Sequence, residues 1–256
     1  KNAWEKYSEE DRKKVFDFAE EYRGFTSRCK TERECVTALR TLAEKAGFMD
    51  MEDVIAKGIR LKPGDRVLAE NKGKSMAMYV IGQKSVEAGM NILGAHIDSP
   101  RLDLKQNPLY EDADLALLDT HYYGGVKKYQ WVTLPLALHG VVAKKDGTVV
   151  EINVGEKPGD PVFGVSDLLI HLSQEQLKKS AASVIDGEDM NILIGSMPMS
   201  VTDEDDQETK QAKQKICGNI LNILKEQYGI EEEDFLSAEI EAVPAGAARD
   251  YGFDRS

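Results

Sequence analysis

Apolar positions fall at helical spacing twice near the N-terminus and then change to short runs bounded by turn residues. Ser8-Glu-Glu-Asp11 has the form of a capping box, and Val15, Phe16, Phe18, Ala19 and Tyr22 after it make an amphipathic stripe that predicts a helix ending near Gly24. Thr31-Glu-Arg-Glu34 repeats the cap. Val36, Leu39, Ala43 and Ala46 then share one face of a second helix, and Gly47 is placed to stop it in a left-handed conformation. Both faces read as core-directed.

Beyond residue 60 the period shortens. Pro63-Gly-Asp65 and Asn71-Lys-Gly73 are turn strings, with strands expected at 66–70 and 75–81. Residues 91–95 form a short apolar run that fits an interior strand, and Pro100 blocks its simple continuation. From 102 to 201 strands and turns dominate: a buried run at 115–118, a strand return at 149–154 after the Asp146-Gly147 hairpin turn, and a strand at 190–197. Pro135 interrupts an apolar run at 131–143 and suggests an edge, a bend or a strand start there. Residues 166–172 read as a helical interruption. Ile216, Ile220, Leu221, Ile223, Leu224 and Tyr228 give a helical stripe closed by Gly229, and 235–243 alternates as a strand. The switch of period predicts an α/β protein with a β-rich domain inserted. Residues 1–101 begin the α/β domain, 102–243 form the insertion and 244–256 return.

The 256 residues can bury a sizeable core and are enough for two domains. Forty-five acidic against 33 basic residues, a formal charge of −12, argue against a general nucleic-acid binder. Cys29, Cys35 and Cys217 form no zinc-ribbon or Cys-x-x-Cys spacing, and no apolar run reaches membrane-spanning length. The first residues show no signal-peptide core, although the sequence starts with Lys. A reducing cytoplasm, with no membrane and no nucleic acid as partner, is the expectation.

Candidate chemistry centres on His96 and Asp98 at the end of the 91–95 run. Residues i and i+2 of an extended segment share a face, so the carboxylate can accept a hydrogen bond from the ring nitrogen turned away from a metal, or orient a general base. A satisfied polar pair at a strand end is the plainer alternative. No Gly-x-Ser-x-Gly elbow, His-Glu-x-x-His helix, P-loop or dinucleotide fingerprint occurs. A lone His171 among leucines, and still more His121 and His139, read first as packed or interface residues. The residues alone therefore nominate half a metal site, because a catalytic zinc takes about three protein ligands.

Ala95-His-Ile-Asp-Ser-Pro-Arg-Leu-Asp103 resembles the first metal-binding motif of the aspartyl aminopeptidase family, the M18 metallopeptidases. Thr120-His-Tyr-Tyr-Gly-Gly-Val-Lys-Lys-Tyr129, Asp167-Leu-Leu-Ile-His-Leu172, Ala238-Glu-Ile-Glu-Ala-Val-Pro-Ala-Gly246 and Gly252-Phe-Asp-Arg-Ser256 are similar to the same family, in its order. The resemblance implies an α/β/α catalytic domain with an inserted β-rich dimerisation domain, and assembly into a tetrahedral dodecamer. It implies a zinc aminopeptidase that releases N-terminal Asp or Glu from peptides, with Co2+ or Mn2+ as other usable ions. By this carry-over His96 ligates one ion of a two-zinc site, Asp98 holds its ring, and His171 reaches a neighbouring subunit's site as an oxyanion donor. In the family a bridging Asp in a Gly-Gln-Asp-Asp-Arg-like string, a Glu-Glu pair, a later Asp and a final His follow the Asp-Arg-Ser segment. The sequence is thus expected to carry the first half of such an enzyme.

Two alternatives stay open. The chain could be a non-catalytic oligomerisation or shell module with an incomplete metal site, or part of a related metal-dependent aminopeptidase of different side-chain preference.

Overall fold

The computed structural model describes residues 2–112, 115–165, 178–195, 207, 224–231 and 235–246. It divides into two compact units, one running to Ser99 and one spanning Pro100–Gly246. The architecture is α/β, with a curled, β-rich second unit.

In the first unit, α1 (Glu9–Arg28) starts where the pattern places it. Ser8 Oγ accepts from the Asp11 N–H, and the Asp11 carboxylate accepts from the Ser8 N–H. The helix does not end at Gly24 but continues one turn to Arg28. A single glycine costs about 1 kcal/mol inside a helix and does not remove its hydrogen bonds. The apolar stripe also departs from expectation: Phe16, Phe18 and Tyr22 face outward and no α1 residue is buried. Trp4 lies 6.0 Å from Phe16, ring to ring. Periodicity reports which face is apolar, and only a packed neighbour buries it.

The second helix, α2 (Glu32–Lys45), has the Thr31/Glu34 box and buries Val36 and Ala43 as expected. Leu39 is half-buried and Ala46 exposed. Gly47 (φ 83°) ends it in a Schellman arrangement, with the Gly47 N–H on the Glu44 carbonyl and the Phe48 N–H on the Ala43 carbonyl. Strand β1 (Met49–Asp50) leads straight into a short α3 (Met51–Ala56) that the pattern did not reveal. Strands β2 (Arg66–Asn71) and β3 (Ser75–Val80) form the expected hairpin through Lys72 and Gly73, both left-handed. β1 adds parallel to β2, making a three-stranded sheet.

The run at 91–95 forms no strand. It is irregular, Ile92 is exposed and Leu93 fully so. A strand is defined by its hydrogen-bonded neighbours, and among the described residues this run pairs with none.

The second unit is a seven-stranded antiparallel sheet in the order β7-β6-β10-β4-β5-β9-β8. Its strands are β4 (Arg101–Asp112), β5 (Leu115–Tyr123), β6 (Leu136–Lys144), β7 (Val149–Val154), β8 (Gly164–Val165), β9 (Ile192–Gly195) and β10 (Phe235–Pro244), with a one-turn α4 (Lys128–Trp131) before β6. β4 begins immediately after Pro100. It accommodates Pro108 through a register shift between Leu104 and Leu109, where Asn107 is left-handed (φ 56°); a bulge removes the need for a ladder N–H at the proline.

Pro135 marks a strand start, one of the expected options, but β6 is not a marginal strand. It pairs with β7 on one side and β10 on the other, because the proline stands just outside the ladder. At the 144–148 turn only Gly147 takes a positive φ (88°), while Asp146 caps the turn by accepting the Thr148 N–H at 2.8 Å. Leu102, Leu118, Trp131, Leu136, Leu138, Phe163, Met190 and Ile192 form the main core, and Val142, Ile152, Leu224 and Ile230 a smaller one. The helical turn at 224–228 ends at Gly229 (φ 63°), as its sequence suggested. No helix among the described residues is long and apolar enough to cross a membrane.

Candidate metal centre

The segment carrying His96 and Asp98 lies in the first unit, between Met90 and the proline that precedes β4. The side chains meet without strand geometry. His96 Nδ1 is 3.0 Å from Asp98 Oδ1 and 3.2 Å from the Asp98 carbonyl oxygen. Both partners are acceptors, so Nδ1 must carry the ring proton when the imidazole is neutral. The lone pair then sits on Nε2. The His96 side chain is 85% exposed and that of Asp98 is 35% exposed, so the nitrogen free to bind a metal is also reachable.

This is the donor arrangement of a histidine ligand held by a carboxylate, in which the second nitrogen's hydrogen bond selects the tautomer. It fits one ligand position for zinc. Among the described residues no group of three or more His, Cys, Asp or Glu side chains could by itself hold a metal ion. His171 lies outside the described residues, as do the rest of the 166–172 segment and the return at 247–256.

The two remaining histidines sit in the second unit. His121 is exposed on β5, with Nδ1 3.4 Å from Glu188 Oε1. Lys105 bridges Glu188 and Asp119, at 3.2 and 3.1 Å. His139 is buried on β6, as its apolar strand suggested. Its Nε2 lies 3.2 Å from Glu156 Oε1, and the other oxygen of Glu156 accepts the Gly246 N–H at 2.9 Å. That carboxylate therefore ties β6 to the end of β10.

Arg101, directly after Pro100, was not singled out by its sequence. It is buried, with Nε 2.7 Å from Asp103 and 3.4 Å from Glu241, and its guanidinium lies over the Tyr123 ring at 4.0 Å. The clue was the acidic residue two positions on along the same strand face. Glu241 and Tyr123 come from other strands and left no local trace. This cluster pins the start of β4 immediately after the His96–Asp98 segment.

A family model described as Aminopeptidase I zinc metalloprotease (M18) matches residues 25–256. The chain belongs to the M18 aminopeptidase family. An M18 relative from Clostridium acetobutylicum, "Probable M18 family aminopeptidase 1", is 62% identical over 256 residues, covering 100% of this chain and 53% of its own length. The crystal structure of aminopeptidase I from Clostridium acetobutylicum superposes with a TM-score of 0.77 at 58% identity, over 100% of this chain and 54% of that one. The M18 aminopeptidase structure from Thermotoga maritima gives 0.76 at 41% identity, over 95% of this chain and 50% of that one. The chain spans about half the length of the relatives it matches.

Proposed function

We propose that the protein carrying this chain is a zinc-dependent aminopeptidase that releases acidic residues, Asp or Glu, from the N-termini of peptides. The observation that carries the reading is the His96–Asp98 contact, which keeps the proton of the neutral ring on Nδ1 and leaves Nε2 as the nitrogen available to a metal. Family membership supports the aminopeptidase class, and the acidic preference follows the motif resemblance.

In this reading His96 holds one ion through Nε2, and Asp98 fixes the ring's tautomer and orientation. Zinc, when bound, supplies the Lewis acidity that activates water for attack on the first peptide carbonyl; Co2+ or Mn2+ could serve in its place. The remaining ligands and the general base are carboxylates and a histidine outside these 256 residues. His171 is assigned as an oxyanion donor for a neighbouring subunit's site, a role worth roughly 3–4 kcal/mol when the donor is well placed. Dimers of the β-rich unit assembling into a dodecamer would bring that donor in, and the cytoplasm is the proposed compartment.

The test is cleavage of peptides beginning with Asp or Glu by the intact protein, with and without chelator, in wild type and His96→Ala. Chelator-sensitive turnover that collapses in the variant is expected. Unchanged metal-dependent turnover would remove His96 from the ligand set. A panel with neutral and basic N-termini decides between an acidic and another side-chain preference.

A second reading, a non-catalytic shell module, is supported by the unit at Pro100–Gly246, which closes its own core, together with the lack among the described residues of any group of three or more His, Cys, Asp or Glu side chains that could hold a metal ion. Zinc titration of the intact protein with parallel sizing separates the two. An oligomer that binds no zinc and cleaves no peptide would favour the shell.

A further inference from the structure

The junction of α1 and α2 places two thiols together, in a region that the proposed metal chemistry does not use. Cys29 is the C-cap of α1, and Cys35 lies in the first turns of α2. The Cys35 thiol is buried and donates to the Cys29 carbonyl oxygen at 3.7 Å, while Cys29 is partly exposed. Both thiols are reduced in this structure.

The chain between them is already held in place. The Glu34 carboxylate accepts the N–H groups of Lys30 at 2.7 Å and Thr31 at 3.1 Å, and the Thr31 hydroxyl accepts the Glu34 N–H at 3.3 Å. The cap that starts α2 thus holds the backbone between the two cysteines, and the Cys35 sulfur already lies against the Cys29 backbone.

We propose that Cys29 and Cys35 form an oxidation site, at which a peroxide converts the two thiols into a reversible intramolecular disulfide. The pair has the anatomy of such a site, with one accessible sulfur and a sheltered partner beside it. The two thiols are also unequal as acids. Hydrogen bonding from Cys35 holds the Cys29 thiol below its ordinary value, whereas the Cys35 thiol is pushed up by the same hydrogen bond and by burial. The thiolate is the nucleophile, so Cys29 reacts first.

The Cys29 thiolate attacks one peroxide oxygen, the O–O bond breaks and hydroxide leaves, giving a sulfenic acid. The Cys35 sulfur then attacks the sulfenic sulfur. It loses its proton, and the hydroxyl departs with a proton as water. In sum two thiols are oxidised to one disulfide, and one hydrogen peroxide is reduced to two waters. The site does not depend on the zinc reading, and its product is identified by mass alone.

The experiment exposes the intact protein to a small excess of hydrogen peroxide, blocks residual thiols with an alkylating reagent and maps tryptic peptides. The expected product is Cys29-Lys30 joined to the Glu34–Arg40 peptide, with the loss of two hydrogens and full recovery of both thiols on reduction. Cys29→Ser should abolish the link, and Cys35→Ser should leave a sulfenic acid at Cys29 that a sulfenic-selective nucleophile traps. Cys217→Ala should change neither result. Both thiols alkylated as free cysteines after peroxide, Cys29 or Cys35 linked to a different cysteine, or Cys29 over-oxidised while Cys35 stays reduced would each overturn the proposal.

Discussion

Asp98 Oδ1 lies 3.0 Å from His96 Nδ1 in a segment with no regular secondary structure. The ring is therefore oriented by its own neighbour rather than by a sheet. Asp98→Asn puts an amide where an ionised acceptor stood and weakens its hold on the N–H. In the intact protein we expect metal affinity to fall about 10- to 100-fold, the usual cost of losing such a partner. His96→Ala should lose more. Competition titration with a zinc-binding dye measures both, and equal affinity for Asp98→Asn and wild type would remove Asp98 from this role.

Arg40 gathers three carboxylates: Asp50 at 2.5 Å, Glu44 at 3.0 Å and Glu70 at 3.3 Å. Hydrogen bonding from Arg40, then from the Glu52 N–H that Asp50 caps at α3, holds the Asp50 carboxyl below its ordinary value. A carboxyl whose folded pKa lies below its unfolded value of about 3.9 stabilises the fold above that value and stops doing so as pH falls through the folded pKa. Asp50→Asn keeps the cap and removes the charge. Urea unfolding should show it less stable than wild type near neutrality, with the gap closing as the pH falls through the lowered folded value. A gap that stays constant with pH would mean that the charge is not responsible.

Gly140 on β6 faces the backbone of β10. A Cβ there would stand 2.1 Å from the Glu239 carbonyl oxygen and 2.8 Å from the Ile240 Cα. Neither neighbour is a flexible side chain, so Gly140→Ala must push the two strands apart. We expect a loss of about 3 kcal/mol or more. Gly147→Ala, in open space but at φ 88°, should cost about 1–2 kcal/mol from the left-handed backbone alone. Denaturant midpoints of the two variants give the comparison.

Glu156 accepts both the buried His139 ring and the Gly246 N–H. Glu156→Ala withdraws the acceptor from each; the Gly246 N–H is exposed and water can replace its partner, whereas the His139 ring is buried, and a buried donor without its partner costs about 1–3 kcal/mol. The double variant with His139→Ala and Glu156→Ala should lose less than the sum of the two single losses, because the two residues share one interaction. Thermal unfolding of the two single variants and the double variant closes the cycle; strict additivity would show that the pair is not coupled.

Local chemistry was legible in the sequence. The boxes at Ser8 and Thr31, the glycines that close helices at Gly47 and Gly229, the hairpin at Asp146-Gly147 and the tautomer-setting pair of His96 and Asp98 all involve residues within a few positions of one another. The run at 91–95 forms no strand for the complementary reason. Apolar composition shows that a segment avoids water, but a strand exists only beside another strand. The same reason explains the outward-facing Phe16 and Phe18, and the internal place of β6 behind Pro135. Arg101 shows the limit most clearly: Asp103 was visible two residues away, whereas Glu241 and Tyr123 reach it only through the sheet.

The amino-acid sequence by itself determined where the first two helices begin, where the main turns fall, which histidine has a carboxylate beside it and to which family the motifs point, because those depend on short-range sterics and hydrogen bonds. Only the tertiary structure decided that β10 sits between β6 and β4, that Glu156 joins His139 to Gly246, and that the Cys35 sulfur lies against the Cys29 carbonyl six positions back. Those outcomes depend on which distant segments come to share a hydrogen-bond ladder or a core, and on how two helices meet, and no local pattern encodes that choice.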